Sequence, residues 1–406
     1  MIVWMKAKIM KRVLFLGAAH TQIPPLEYAR SQGHHIITCD YLPNNPGHVL
    51  ADECHPISTT DKDAILQLSK ELKIDGIVAY ASDPAAPTAA YVAENLNLPG
   101  NPYESVNILT RKDLFRKFLE KNGFNVPRSQ SFHKKHEARC WVEELQAPVF
   151  IKPVDSSGSK GVTKLTSPAE FNQAFDHALS YSREKIVLIE KEIIRSSHQI
   201  AGDGFLVDGK LVFRSWADEH FDKLCNGLVP IGQTFPTTQS NEHLLIAHNE
   251  TQRLVSKLGM KHGALNFDLI FDEQGDFYFL ELGPRNGGCQ IPEVIRYATG
   301  VDLIKYTVDT ALGLPCEDLC MRSTNGYWSS YMIHSLADGI FRGIWLSDRV
   351  KPKIIEKNIW VQDGATIRKF RGSNDTLGTM ILKFESMSEM NDMIENMEED
   401  IRVIYN

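Results

Sequence analysis

Residues 267 to 281 read FDLIFDEQGDFYFLE, a run that leaves the backbone little choice. Phe267, Leu269 and Phe271 alternate with Asp268 and Ile270, the two-residue period of a strand, and Gln274-Gly275 is a two-residue hairpin turn. Folding about that turn sets Glu273 against Asp276, Phe271 against Tyr278, and so Asp268 against Glu281. Two like charges directly opposite on one sheet face weaken a hairpin, so this register needs a cation. Oxygen-only ligands suit Mg²⁺, and Arg285, four residues beyond Glu281, stands where a guanidinium could meet an anion held by that metal. The alternative is two solvated carboxylates on a hairpin's outer face.

The first hundred residues alternate apolar strands, VLFLG (13 to 17), IITCD (36 to 40) and GIVAY (76 to 80), with helical stretches such as DAILQLSKEL. That order predicts a parallel sheet with crossover helices. Gly17-Ala18-Ala19-His20 lacks the second and third glycines that let a backbone approach a pyrophosphate, so NAD is excluded. His20, Thr21, Ser82 and Asp83 follow strand ends, where they either touch a substrate or serve as caps and turns. Leu98-Pro99-Gly100-Asn101-Pro102 breaks the pattern and marks a boundary. Gly313-Leu314-Pro315 closes the region beyond it. The segment from Arg214 to Gln233, mixed in charge, is expected as a substrate-facing or surface connection.

A formal charge of −7 and no dense basic cluster exclude nucleic acid as the main partner. The apolar run Val13 to Ala19 after Lys6, Lys8, Lys11 and Arg12 is too short for a membrane helix and ends like a first strand, so no membrane partner and a cytoplasmic location are expected. Seven cysteines without a CxxC pair fit reduced thiols.

Residues 148 to 162, PVFIKPVDSSGSKGV, form a strand ending near Lys152 and then a Gly/Ser loop whose amides and hydroxyls can converge on phosphate. Here the lysine precedes the glycines, unlike the Walker pattern, and a charge inside an apolar strand needs a partner.

The order of these pieces resembles the ATP-grasp superfamily of ligases over residues 12 to 314, closest to its carboxylate–amine and amino-acid ligase branch and similar to carbamoyl-phosphate synthetase large-subunit and biotin carboxylase proteins. The resemblance implies a mixed α/β and α+β fold. It divides into a Rossmann-like N-terminal parallel-sheet domain (1 to 100), an ATP-grasp domain with a central subdomain and nucleotide-binding lid (101 to 314), and a small mixed C-terminal domain (315 to 406). It implies ATP and Mg²⁺, or Mn²⁺ in its place. Lys112, eleven residues before Gly123, and Lys152 correspond to the phosphate-binding lysines, and Ser156, Ser157, Gly158 and Gly161 to the lid. Glu190 with the backbone of Lys191 and Ile193 would hold the adenine, and Gln199 stands where relatives carry a ribose-binding glutamate. Asp268 and Glu281 become the metal ligands, and Arg285, with Lys152, the catalytic residues. Gly283 replaces the asparagine that helps hold a second metal, which leaves water or Asn286 as substitutes.

The implied reaction joins a small-molecule carboxylate to an amine through an acyl phosphate, releasing ADP and phosphate, in a chain that could form a homodimer. An ATP-dependent carboxylase using carboxyphosphate and a nucleotide-binding module without turnover are the other readings. His198, His220, His243 and His262 are scattered, and no general base stands out.

Overall fold

The computed structural model describes residues 9–406; Lys6 and Lys8 lie outside them. Four parallel strands, β1 (Arg12–Leu16), β2 (His35–Cys39), β3 (Glu53–His55) and β4 (Gly76–Val78), form a first sheet in the order β3-β2-β1-β4. Helix α1 (Ile23–Ser31) joins β1 to β2, α2 (Lys62–Leu72) joins β3 to β4, and α3 (Ala86–Leu96) follows β4, in keeping with the alternation of the first hundred residues. Asp61 starts α2 by accepting from the Ala64 amide at 3.1 Å, an ordinary side-chain cap.

Helices α4 (Tyr103–Thr110) and α5 (Lys112–Lys121) follow the Pro-Gly-Asn-Pro break. Phe115 and Leu119 bury one face of α5 against Phe279 and Leu282, and Gly123, in the left-handed region at φ +69°, ends the helix. Next comes a four-stranded antiparallel sheet ordered β5-β8-β6-β7, from β5 (Ser129–Phe132), β6 (Val149–Pro153), β7 (Thr163–Leu165) and β8 (Val187–Lys191). Helices α6 (Lys135–Leu145) and α7 (Phe171–Tyr181) cover one face, where Val142, Phe171 and Phe175 bury against Val149 and Ile151. Each such side chain contributes about 1.5–3 kcal/mol.

The largest sheet has eight strands. It contains β9 (Gln199–Val207), β10 (Lys210–Phe221), β11 (Pro230–Phe235), β12 (Gly263–Phe271) and β13 (Phe277–Gly283), then β14 (Tyr327–Ile333), with the order β13-β12-β9-β10-β11-β14 at one side. The chain beyond residue 315 extends it. Between β14 and the C-terminus run β15 (Gly339–Leu346), β16 (Ile354–Ile359), β17 (Thr366–Ile367), β18 (Gly378–Phe384) and β19 (Ile401–Tyr405); β18 and β16 complete the large sheet, while β17-β15-β19 make a small third layer. Strands β10 and β11 occupy most of the segment 214 to 233, so the expected long connection shrinks to residues 222–229, where Asp222 accepts from the Leu224 and Cys225 amides at 2.8 Å each.

Helix α8 (Asn241–Leu258) packs on the large sheet, whereas α9 (Ile291–Thr299) and α10 (Leu303–Ala311) lead the chain back to the first sheet. Ile304, Val308 and Leu312 share a core with Val13, Phe15, Ile36 and Val78. A Cβ at Gly76 would lie 2.5 Å from the Ala311 carbonyl oxygen, so only glycine permits this approach. No helix among the described residues is long and apolar enough to cross a membrane, and none of the seven cysteines is paired.

Candidate active site

The hairpin brings Asp268 opposite Glu281, though by a different route from the one its sequence suggests. The turn holds three residues, with the Asp272 amide donating to the Asp276 carbonyl and Gly275 at φ +85°, so Phe271 pairs with Phe277 in place of Tyr278. A bulge between Asp268 and Leu269 then shifts the register by one and restores the carboxylate pair.

These carboxylates open into a cavity of about 910 Å³ between the four-stranded and eight-stranded sheets. Lys112, Lys152, Ser156, Ser157, Gly158, Glu190, Lys191, Ile193, Gln199, Asp268, Glu281 and Arg285 all line it. Gly161 does not. It sits at the base of the lid at φ +76°, where a Cβ would meet Tyr181 at 2.9 Å. The lid is lowered: Ser159 Oγ donates to the Leu228 carbonyl at 2.6 Å, and a Cβ at Gly158 would run into Ser373 Oγ.

Lys152 finds its partner on the neighbouring strand. Its Nζ pairs with Glu190 Oε1, and Glu190 Oε2 takes Arg116 Nε at 3.0 Å. Glu190 therefore has both oxygens engaged by protein cations, and its side chain positions Lys152 where base binding was expected. Burial alone would raise the Glu190 carboxyl, but Arg116 and Lys152 override it and hold it at about 2. Arg116, absent from the sequence reading, also donates to the Phe279 and Leu280 carbonyls at 3.3 and 3.0 Å, fastening α5 to the β12–β13 hairpin. Lys112 begins α5 and reaches Glu281 Oε1 at 2.7 Å and the Ser156 carbonyl at 3.0 Å.

Gln199 lies at the carboxylates, where ribose contact was expected. Its Nε2 donates to Asp268 Oδ1 at 2.7 Å and to Glu219. Glu219, a second residue not singled out in the sequence, is buried beside Asp268. Burial and then Asp268 raise the Glu219 carboxyl; burial and then Glu281 raise that of Asp268. Such crowding of acids fits a bound cation. Among the described residues no set of three or more His, Cys, Asp or Glu side chains forms a metal cage.

Arg285 is clamped by Asp83, with Nε to Oδ1 at 2.8 Å and Nη2 to Oδ2 at 2.6 Å, while its Nη1 donates to Asn266 Oδ1 at 2.7 Å. Asp83 thus ties a loop of the first sheet to the site. Burial opposes charge on both partners, yet their mutual attraction lowers the Asp83 carboxyl and raises the guanidinium. Asn286 is turned away: it is fully buried and its Oδ1 accepts from Thr307 at 2.7 Å, so it cannot replace the missing amide at 283. Asn266, directly across the ladder from Gly283, is an amide that does line the cavity. None of the four histidines does so; His220 bonds Thr234 at 2.8 Å and is held neutral, at about 3, first by burial.

A Cβ at Gly283 would lie 3.1 Å from Asp83 Oδ1 and 3.2 Å from Arg285 Cζ. Gly283→Asn is therefore expected to push the clamp apart, lowering stability by about 1–3 kcal/mol and lowering turnover as well. A denaturant midpoint and turnover equal to those of the parent protein would contradict this packing.

Residues 110–289 match the model of the ATP-grasp domain family. The uncharacterized protein y4rH of Sinorhizobium fredii is 26% identical over 360 residues, 85% of this chain and 72% of that protein. A carbamoyl phosphate synthase large chain of a Thermoanaerobacter species is 26% identical over 294 residues, 70% of this chain and 26% of that protein, so the chain spans about a quarter of it. The crystal structure of an L-amino acid ligase from Bacillus licheniformis superposes with a TM-score of 0.80 at 21% identity, covering 98% of this chain and 99% of that one. Phosphoribosylglycinamide synthetase from Anaerococcus prevotii gives 0.75 at 22% identity over 98% and 100%.

Proposed function

We propose that the chain, whose residues 110–289 match the ATP-grasp domain family, is an ATP-dependent ligase that joins a small-molecule carboxylate to an amine through an acyl phosphate, releasing ADP and phosphate. The observation that carries this reading is the convergence of Lys112, Lys152, Asp268, Glu281 and Arg285 on one cavity. The whole-length likeness to an L-amino acid ligase supports it.

A carboxylate is a poor electrophile because its charge is shared between two oxygens, and phosphorylation gives it a leaving group. A bound Mg²⁺ would supply neutralisation of the phosphate charge. Asp268 and Glu281 would hold it, with Gln199 orienting Asp268. Lys112 and Lys152 would neutralise the phosphate chain, and Lys152 is kept in place by Glu190 and Arg116. Arg285, preset by Asp83, would stabilise the charge that develops on the acyl phosphate. Residues 155–161 cover the cavity and keep water from an intermediate that hydrolyses readily.

Phosphate release assayed with a panel of carboxylates and amines tests the reading. Release requiring one acid and one amine supports it; release requiring bicarbonate instead would assign a carboxylase, and tight ATP binding without release would assign a binding module. Lys152→Ala is expected to lower kcat/KM for ATP by about 10²-fold or more, the usual cost of losing one charge-stabilising donor. Unaltered ATP kinetics in that variant would remove Lys152 from the site.

A further inference from the structure

A second cavity, of about 770 Å³, lies between the loops of the first sheet, α9 and strand β16. It shares Thr21, Gly288, Cys289 and Trp360 with the larger cavity, so the two adjoin. Four residues that line it each carry a buried polar atom bonded to no protein group: Tyr80 Oη, Gln290 Oε1, Glu293 Oε2 and Thr379 Oγ1. Tyr80, Glu293 and Thr379 are only 3%, 9% and 0% exposed. An unpaired buried group costs about 1–3 kcal/mol, so several around one space call for a ligand.

The character of these atoms selects that ligand. Gln290 Nε2 donates to Glu356 Oε2 at 2.9 Å, which fixes the amide and leaves its Oε1 as an acceptor. Tyr297 donates to the other Glu356 oxygen at 2.6 Å, so that carboxylate is already served. Glu293 makes no ion pair among the described residues, and Arg296, one turn along α9, faces Asp302 at 3.7 Å. Two free acceptors, one of them a carboxylate, therefore await a donor, while the Tyr80 and Thr379 hydroxyls can adapt to either role. Cys289 and Gln290, both in the left-handed region at φ +52° and +64°, hold this wall in a conformation non-glycine residues seldom adopt. Burial raises the Glu293 carboxyl to about 7, as for a group whose countercharge arrives with a ligand.

We propose that this second cavity receives the cationic end of the amine co-substrate, with Glu293 as the carboxylate that meets its ammonium. The assignment rests on the ligase reading and adds to it the room the nucleophile occupies.

The test uses the full chain and the isosteric variant Glu293→Gln. L-amino acids, ethanolamine and putrescine, each beside its N-acetyl derivative, are titrated by calorimetry with Mg²⁺ and ATP present. The expected result is that at least one free amine binds, its acetylated counterpart does not, and Glu293→Gln weakens binding tenfold or more while ATP binding stays within twofold. In turnover, KM for that amine should rise tenfold or more with kcat at saturating amine and KM for ATP retained. Equal binding of amine and N-acetyl derivative, unchanged affinity in Glu293→Gln, or no binding by any amine would overturn the proposal. Glu293-dependent amine binding without phosphate release would sustain it and overturn the ligase reading instead.

Discussion

Glu281→Gln is expected to fold normally and to lose Mg²⁺-dependent phosphate release by about 10³-fold or more, a loss typical of a group that organises charge in a phosphoryl-transfer site. Its side chain is 39% exposed and lies outside the cores, so little packing is at stake. What the change removes is one of two carboxylates directly opposite each other on β12 and β13, together with the Lys112 partner at 2.7 Å. Without metal the substitution relieves like-charge crowding, and the thermal midpoint should be equal to or above that of the parent. With Mg²⁺ and ATP the order should reverse, because only the parent gains stability from the bound pair. Thermal shift with and without Mg²⁺–ATP, beside phosphate release, separates a metal ligand from a solvated carboxylate. A variant that turns over normally and is still stabilised by Mg²⁺–ATP would return the pair to the hairpin's outer face.

The carboxylate pair shows how far a sequence carries such a reading. Period-two alternation identified both strands, and the pairing of Asp268 with Glu281 emerged although the turn was one residue longer than its Gln-Gly signature implied. A bulge compensated, and bulges leave no local signal strong enough to place. The parallel sheet of the first hundred residues was legible for the same reason: buried strands and amphipathic helices write their periods directly. Strand β3, three residues long and half exposed, wrote none.

Long-range polar partners were the least legible. Lys152 in an apolar strand announced the need for a counter-charge, yet nothing near it in sequence pointed to Glu190 across the sheet or to Arg116 on α5. Asp218, Glu219 and His220 are consecutive and all buried within β10, where alternation predicts that one face should see water. Both faces of that strand are covered by protein, so charge in this run reads as connection when it is a buried site wall. Gln199 was placed by its order along the chain, whereas its partners are set by β9 lying between β10 and β12.

The buried cluster of Arg116, Glu190 and Lys152 carries the second large effect. Arg116 and Glu190 side chains are 4% and 3% exposed, so Arg116→Met leaves Glu190 with Lys152 as its remaining counter-charge and removes the hydrogen bonds to the Phe279 and Leu280 carbonyls. Breaking such a pair from one side costs about 3–5 kcal/mol. The pH dependence separates the charge from the packing. Glu190 is held at about 2 against an ordinary 4.5, so its contribution is present above the ordinary value and is lost as pH falls through about 2. That interval corresponds to about 3 kcal/mol. The stability gap between the parent and Arg116→Met, read from denaturant midpoints, should therefore be full at pH 7, begin to shrink below pH 4.5 and be lost as pH falls through about 2, below which Glu190 is neutral in both proteins. Because the pair is shielded from solvent, added salt should change the gap little. A gap that stays constant over that range would assign the Arg116 contribution to its carbonyl hydrogen bonds alone. A gap that closes would show that the ion pair fixing Lys152 also helps fasten α5 to the β12–β13 hairpin.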